Sequence, residues 1–175
     1  SAASFVRGPQ GAAATLDVGT TSALVAGSTP TVTNSGDTND AIFNFGIPRG
    51  ADSGIKWLFD SSTTMADPGT GDFRLNHATL ASVTAIAVSA TGSGSDVSDW
   101  VATWDDSTNP TKGYLVLREE AGGTAAVFSI SAVTDNTAWL QLTVAYVSGS
   151  LSLTAADPVY FIPLVTGNKG LDGEV

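Results

Sequence analysis

Cysteine is absent from this chain. That removes disulfides, thiolate catalysis and Cys-ligated zinc, while leaving the compartment open. Charge is also scarce: Asp, Glu, Lys and Arg make up 14% of the residues, against about 25% in ordinary soluble domains. Surface helices draw on Glu, Lys and Arg, so the shortage argues against a helical protein. What charge remains is lopsided, with 7 basic residues against 17 acidic ones and a net charge of −10. Nucleic acid is gripped by clustered Lys and Arg, and an anionic membrane surface asks for the same. Here the basic residues are scattered singly, so neither nucleic acid nor membrane is expected as a partner. No apolar run approaches the roughly 20 residues that cross a bilayer. The stretch Ser1-Ala2-Ala3-Ser4 has neither the basic nor the apolar region of a secretory leader.

What is present is apolar and aromatic. The chain is 42% hydrophobic, with four Trp, seven Phe and three Tyr in 175 residues, enough for one packed domain plus a small appendage. Ala, Ser, Thr, Gly and Val take the place of the missing charge, a mixture that favours strands and tight turns. The expected class is all-β.

Glycine recurs every third residue in two places. Gly8 and Gly11 open two triplets near the start, and Gly167, Gly170 and Gly173 open three at the end. Around Gly50 to Gly54 the rhythm slips by one residue. When three chains wind together only glycine fits at the shared axis, so the period points to a collagen-like rod; chance phasing of loop glycines is the plainer alternative. Runs this short cannot hold a triple helix unaided, and more triplets are expected beyond Val175.

These signals divide the chain into a collagen-like or linker segment (1–13), a small β module (14–54), a β-sandwich domain (55–165) and the start of a second collagen-like segment (166–175). In the module, strands are expected at 15–18, 31–33 and 41–45, with Gly19-Thr20-Thr21 and Asn34-Ser35-Gly36-Asp37 as turns. Few large apolar residues fall there, so the module needs partner subunits to cover it. Further on, strands are expected at 56–59, 72–75, 83–88, 113–117, 126–130, 139–147 and 158–162. Turns such as Asp67-Pro68-Gly69 and Gly122-Gly123 separate them, the pattern of an antiparallel, jelly-roll-like β-sandwich. Val97, Trp100, Val101 and Trp104 instead follow helical spacing. They predict a short helix at 97–104, capped by Ser95 or Asp96 with Asp99 in its first turn, packing both tryptophans onto the sheet.

Two segments carry a family resemblance. Thr31-Val32-Thr33-Asn34-Ser35-Gly36, followed by Phe43-Asn44-Phe45-Gly46-Ile47-Pro48-Arg49-Gly50, resembles a recurring module of bacteriophage tail-fibre-like proteins in which Ile-Pro-Arg-Gly leads into collagen-like triplets; here Ser53 stands where a triplet glycine would sit. The part from Trp57-Leu58-Phe59-Asp60 through Gly69-Thr70-Gly71-Asp72-Phe73-Arg74-Leu75-Asn76, Trp104-Asp105-Asp106-Ser107 and Lys112-Gly113-Tyr114-Leu115 is similar to a domain found beside such triplets in phage tail and minor virion structural proteins. The resemblance implies a virion structural protein, tail or head appendage, working as a homotrimer among other virion proteins and supporting host attachment. It brings no catalytic residue and no cofactor.

The raw material for chemistry is thin. His77 is the single histidine, no nucleophile-elbow pattern surrounds any serine, and a surface turn is its expected place. Asp105-Asp106 and Glu119-Glu120 are sequence neighbours whose side chains diverge on extended backbone, whereas glycoside hydrolysis needs carboxylates facing each other. Asp105-Asp106-Ser107 is expected to end the helix and start a turn. Asp60, Asp67 and Asp72 are calcium candidates if one loop gathers them, with ordinary turn aspartates as the alternative. Along 139–147, Leu140, Leu142, Val144 and Tyr146 share the core face. Trp139 falls on the opposite face, where a subunit, the rest of the monomer or a host-surface glycan can cover it. No enzyme activity is expected, and a carbohydrate-binding or glycan-depolymerising module is the alternative reading.

Overall fold

The computed structural model describes residues 13–25, 27–37, 39–50, 53–120 and 124–169. The chain divides into two units, one up to residue 52 and one from residue 53 onward.

The first unit is a three-stranded sheet of β1 (Thr15–Leu24), β2 (Thr31–Asn34) and β3 (Asp40–Pro48). β3 lies in the middle, parallel to β1 and antiparallel to β2. Asn34 makes the β2–β3 connection: its Oδ1 accepts the N–H groups of Gly36 at 2.9 Å and Ile42 at 3.0 Å. Gly19-Thr20-Thr21, expected as a turn, lies inside β1 instead. The pairing with β3 shifts between Val18 and Thr21, the mark of a bulge. The reason is local. A Cβ on Gly19 would lie 2.3 Å from Asn44 Oδ1, so glycine makes room for the Asn44 carboxamide. That oxygen then accepts the N–H of Thr20 at 2.8 Å and its hydroxyl at 3.0 Å, supplying a partner where the ladder is interrupted. Among the described residues of this unit, Gly46 alone is buried.

The second unit is built from β4 (Ile55–Asp60), β5 (Asp72–Leu75), β6 (Ala85–Ser89), β9 (Gly113–Glu119), β10 (Ala125–Asp135), β11 (Trp139–Gly149) and β12 (Pro158–Val165). These are the seven strands expected from the sequence. They form a closed barrel in the order β10-β11-β6-β5-β4-β12-β9, not the two-sheet sandwich that was expected. β12 closes it by pairing with β4 on one side and β9 on the other, so no edge is left. Two register shifts in the long β10–β11 hairpin, between Val127 and Phe128 and between Ile130 and Ala132, sharpen the coiling that closure requires. Every neighbouring pair is antiparallel except β4–β5.

Alternation fills the barrel. Leu115 and Leu117 of β9, Ala126, Phe128 and Ile130 of β10, and Leu140, Leu142 and Val144 of β11 point inward and are buried. Trp57, Phe73 and Phe161 pack ring against ring, Phe161 lying 4.8 Å from Trp57 and 4.9 Å from Phe73 by centroid. The Trp57 indole N–H donates to Ser89 O at 3.1 Å. Each large apolar side chain buried in this way contributes about 1.5–3 kcal/mol. A small hairpin, β7 (Thr91–Gly92) with β8 (Ser95–Asp96), leads into helix α1 (Ser98–Ala102) and a 3₁₀ turn at Thr103–Asp105. The expected helix is therefore shorter than 97–104. Its 3₁₀ end alters which tryptophan packs: Val101 and Trp104, three apart, both turn inward and are fully buried, while Trp100 stays 43% exposed. Trp100 meets Trp104 edge-on at 5.1 Å.

Candidate functional site

The barrel is a filled core, so candidate sites lie on its outside and at its ends. Beyond the C-terminal ends of β4 and β5 is a notch of about 210 Å³ lined by Phe59, Leu75, His77, Leu80, Leu151 and Leu153. His77 sits at its rim, exposed as expected. The backbone N–H of Thr79 donates to His77 Nδ1 at 2.9 Å, which in the neutral ring leaves the proton on Nε2. No serine hydroxyl donates to this ring among the described residues, and its bonds stay within its own turn.

The three calcium candidates do not converge. Among the described residues no group of three or more His, Asp or Glu side chains can hold a metal ion. Asp60 ends β4 and takes the Arg74 Nε at 2.6 Å and the Ser62 N–H at 2.9 Å. The Ser62 bond first and the Arg74 bond second hold its carboxyl below the usual carboxylate range. Asp67 accepts the Gly69 N–H at 2.9 Å, an ordinary Asx turn. Asp72 opens β5 beside this pair; burial first and the Asp60 charge second push its carboxyl upward. The Asp60 carboxylate thus already has the Arg74 guanidinium as its partner.

The neighbouring acidic pairs diverge. Asp105 Oδ2 accepts the Val133 N–H at 2.8 Å, next to the β10 irregularity. Glu119 Oε1 accepts the Ser152 N–H at 3.1 Å, whereas Glu120 meets the Tyr160 hydroxyl at 3.1 Å and Lys56 at 3.5 Å. Ser107, expected to start a turn, is buried and has a second role. Its hydroxyl donates to Gly167 O at 2.9 Å, joined there by Asn109 Nδ2 at 2.7 Å. Asn168 Oδ1 accepts the Thr108 N–H at 3.2 Å, and the Lys169 N–H donates to Thr108 Oγ1 at 2.8 Å. Gly167, a candidate rod glycine, is therefore tied to the loop that precedes β9. Gly8, Gly11, Gly170 and Gly173 lie outside the described residues.

Trp139 is half-buried on the outer face of β11, opposite Ser89 of β6. The more open aromatic is Trp100, which the helical spacing had consigned to the core. It edges a wide hollow of about 600 Å³ together with Ile55, Asp96, Val97 and Asp99. Asp96 accepts the N–H and hydroxyl of Ser98, bonds that hold its carboxyl below the ordinary range. The sequence carried a clue to this site in the Asp-Val-Ser-Asp-Trp run, where two carboxylates precede a ring. No family model, curated protein or solved structure matches this chain.

Proposed function

We propose that this chain is a non-enzymatic virion structural segment, part of a trimeric fibre or spike on a tail or head appendage that supports host attachment. One observation carries the reading most directly. A well-packed barrel is preceded by a sheet in which no described side chain is buried. A sheet that leaves its apolar side chains largely in water gains little from burying them, which favours its being covered in an assembly. The resemblance of Ile47-Pro48-Arg49-Gly50 and the residues before it to tail-fibre modules, and the glycine triplets at both ends, give that assembly its kind. The mechanism is mechanical. The barrel supplies a rigid body, and the tail at Gly167, bonded to Ser107 and Asn109, transmits load from a rod into it.

Light scattering at micromolar concentration tests the reading. A mass about three times the 17.7 kDa of the chain is expected, and a monomer would refute the trimer.

A second reading, a glycan-binding or glycan-cutting module, draws on Trp100, Asp96 and Asp99 around one hollow and on the half-buried Trp139. An indole face offers stacking to a sugar ring, and carboxylates accept its hydroxyls. Retention of a labelled bacterial surface polysaccharide that is lost in Trp100→Ala would favour it. Shortening of the polysaccharide would favour cutting.

A further inference from the structure

The three-stranded sheet has two unlike faces, and strand pairing shows which residues share each. Residues paired across strands point to the same side. Leu16 pairs with Ala41, Val18 with Phe43, Thr21 with Phe45 and Ala23 with Ile47, while Val32 pairs with Phe45 and Asn34 with Phe43. One face therefore collects Leu16, Val18, Ala23, Val32, Ala41, Phe43, Phe45 and Ile47. Its two polar members are Thr21 and Asn34, and the Asn34 side chain is already bonded to backbone. The opposite face is mixed: it holds Thr15 hydrogen-bonded to Asp40, then Asp17, Thr31, Thr33 and Asn44, whose Nδ2 donates to Ser35 Oγ at 2.9 Å, together with Leu24, Ile42 and Pro48.

On the apolar face Ala41, Phe43 and Phe45 are half-buried, and the side chains around them stand open. Leu16 is 68% exposed, Val18 75%, Val32 60% and Ile47 56%. Among the described residues of the three strands none on this face is ionisable, although the whole chain carries −10. A contiguous apolar sheet face of this kind marks an interaction surface.

We infer that this face, formed by β1, β2 and β3, is where copies of this chain meet, an inference that rests on the fibre reading. Two observations select a second copy over a foreign partner. Chains of net charge −10 repel, so they associate through a surface free of carboxylates, and Asp17 and Asp40 are both placed on the far side. A foreign protein drawn to so acidic a chain would meet carboxylates at its contact surface. The sheet also has no buried side chain of its own among the described residues, so its cover must be at hand whenever the sheet forms, and a second copy is the partner always present. Three copies of such a face turned toward a shared three-fold axis close into a ring in which each copy covers the next.

The test separates the location of the contact from the existence of an oligomer. Light scattering is run on the full chain, on Val18→Asp/Ile47→Asp, and on Tyr114→Asp/Leu164→Asp, which charges the outside of the barrel. The expected result is a threefold fall in mass for the first variant, no change for the second, and the near-ultraviolet circular dichroism of the barrel tryptophans intact in both. An unchanged mass in Val18→Asp/Ile47→Asp would overturn the inference and leave the fibre reading standing; a monomeric wild-type chain would overturn both. Because the chain has no cysteine, single thiols give an arm independent of stability. Val32→Cys, on the apolar face, is expected to cross-link into a covalent dimer with a short bismaleimide, and Thr33→Cys, on the other face, is not. Equal cross-linking of both, or of neither, would overturn the assignment.

Discussion

Gly92 lies against Trp57, a fully buried side chain of the barrel, so replacing it with alanine probes how rigidly that side chain is held. A Cβ at Gly92 would lie 2.7 Å from Trp57 Cζ2, 2.8 Å from Cε2 and 2.3 Å from Ile55 Cγ2. The Ile55 methyl belongs to a half-buried side chain and can turn away. Trp57 has no such freedom: it is fully buried, its indole N–H is bonded to Ser89 O at 3.1 Å, and Phe161 packs on it at 4.8 Å. Overpacking of a close-packed core costs about 1–3 kcal/mol, and a pinned ring puts Gly92→Ala near the top of that range, about 3 kcal/mol. For a unit of this size that lowers Tm by roughly 10 °C. Trp57→Phe removes the crowded atoms at a cost of about 2–4 kcal/mol for the lost volume and hydrogen bond. In the double variant the alanine methyl then occupies vacated space, so its own penalty should fall below about 1 kcal/mol, a coupling of about 2 kcal/mol. Urea unfolding followed by far-ultraviolet circular dichroism measures all four corners of the cycle. A Gly92→Ala variant within about 0.5 kcal/mol of wild type, or strictly additive substitutions, would show that the ring yields and that the packing argument is wrong.

Four further outcomes follow from the structure. Gly149 has φ +99° and a Cβ there would lie 2.1 Å from Ala125 O, whereas Gly94 has φ +80° with open space around it; Gly149→Ala should cost more than about 3 kcal/mol in thermal melts and Gly94→Ala about 1 kcal/mol, from backbone strain alone. The Asp60 carboxyl, held low by Ser62 and Arg74, has a folded pKa below its unfolded value; its stabilisation is present above the unfolded value and lost as pH falls through the folded one. Asp60→Asn should therefore destabilise at pH 7 by about 1 kcal/mol, as expected for a partly exposed pair, and much less near pH 3. Asp72, pushed upward by burial and by Asp60, has the opposite sign, so Asp72→Asn should leave the barrel more stable at neutral pH, and a loss there in urea melts would contradict the assignment. Finally, Ser107→Ala/Asn109→Ala removes both donors to Gly167 O and should speed amide exchange at Thr166 and Lys169 while leaving the core strands β9 to β11 protected.

Much of the barrel was legible because its signal is local. Alternation along 113–117, 126–130 and 139–147, set off by turns, identified strands whose inward residues are those found buried. Asn34 was readable as a turn residue for the same reason. Errors fell where a remote residue decides. Gly19-Thr20-Thr21 reads as a turn unless Asn44, some 25 residues away, is known to fill the space above the glycine. Trp100 and Trp104 share one helix face on 3.6-residue spacing, and the 3₁₀ end then turns only Trp104 inward. Asp60, Asp67 and Asp72 form no metal-holding group, and Asp60 instead faces Arg74 across the β4–β5 pairing, a contact that no spacing in the sequence shows.

The sequence by itself determined that this protein is all-β, poor in charge, acidic and free of cysteine chemistry, because composition and period-two patterning act residue by residue. Only the tertiary structure decided that the seven strands close into a barrel, since a sandwich and a barrel share the same alternation and differ in whether β12 finds partners on both edges. Pairing likewise turned weak apolar residues in β1, β2 and β3 into one uncharged face. That face depends on β1 lying parallel to β3 with β2 on its other side, a non-local choice made by hydrogen bonds between strands.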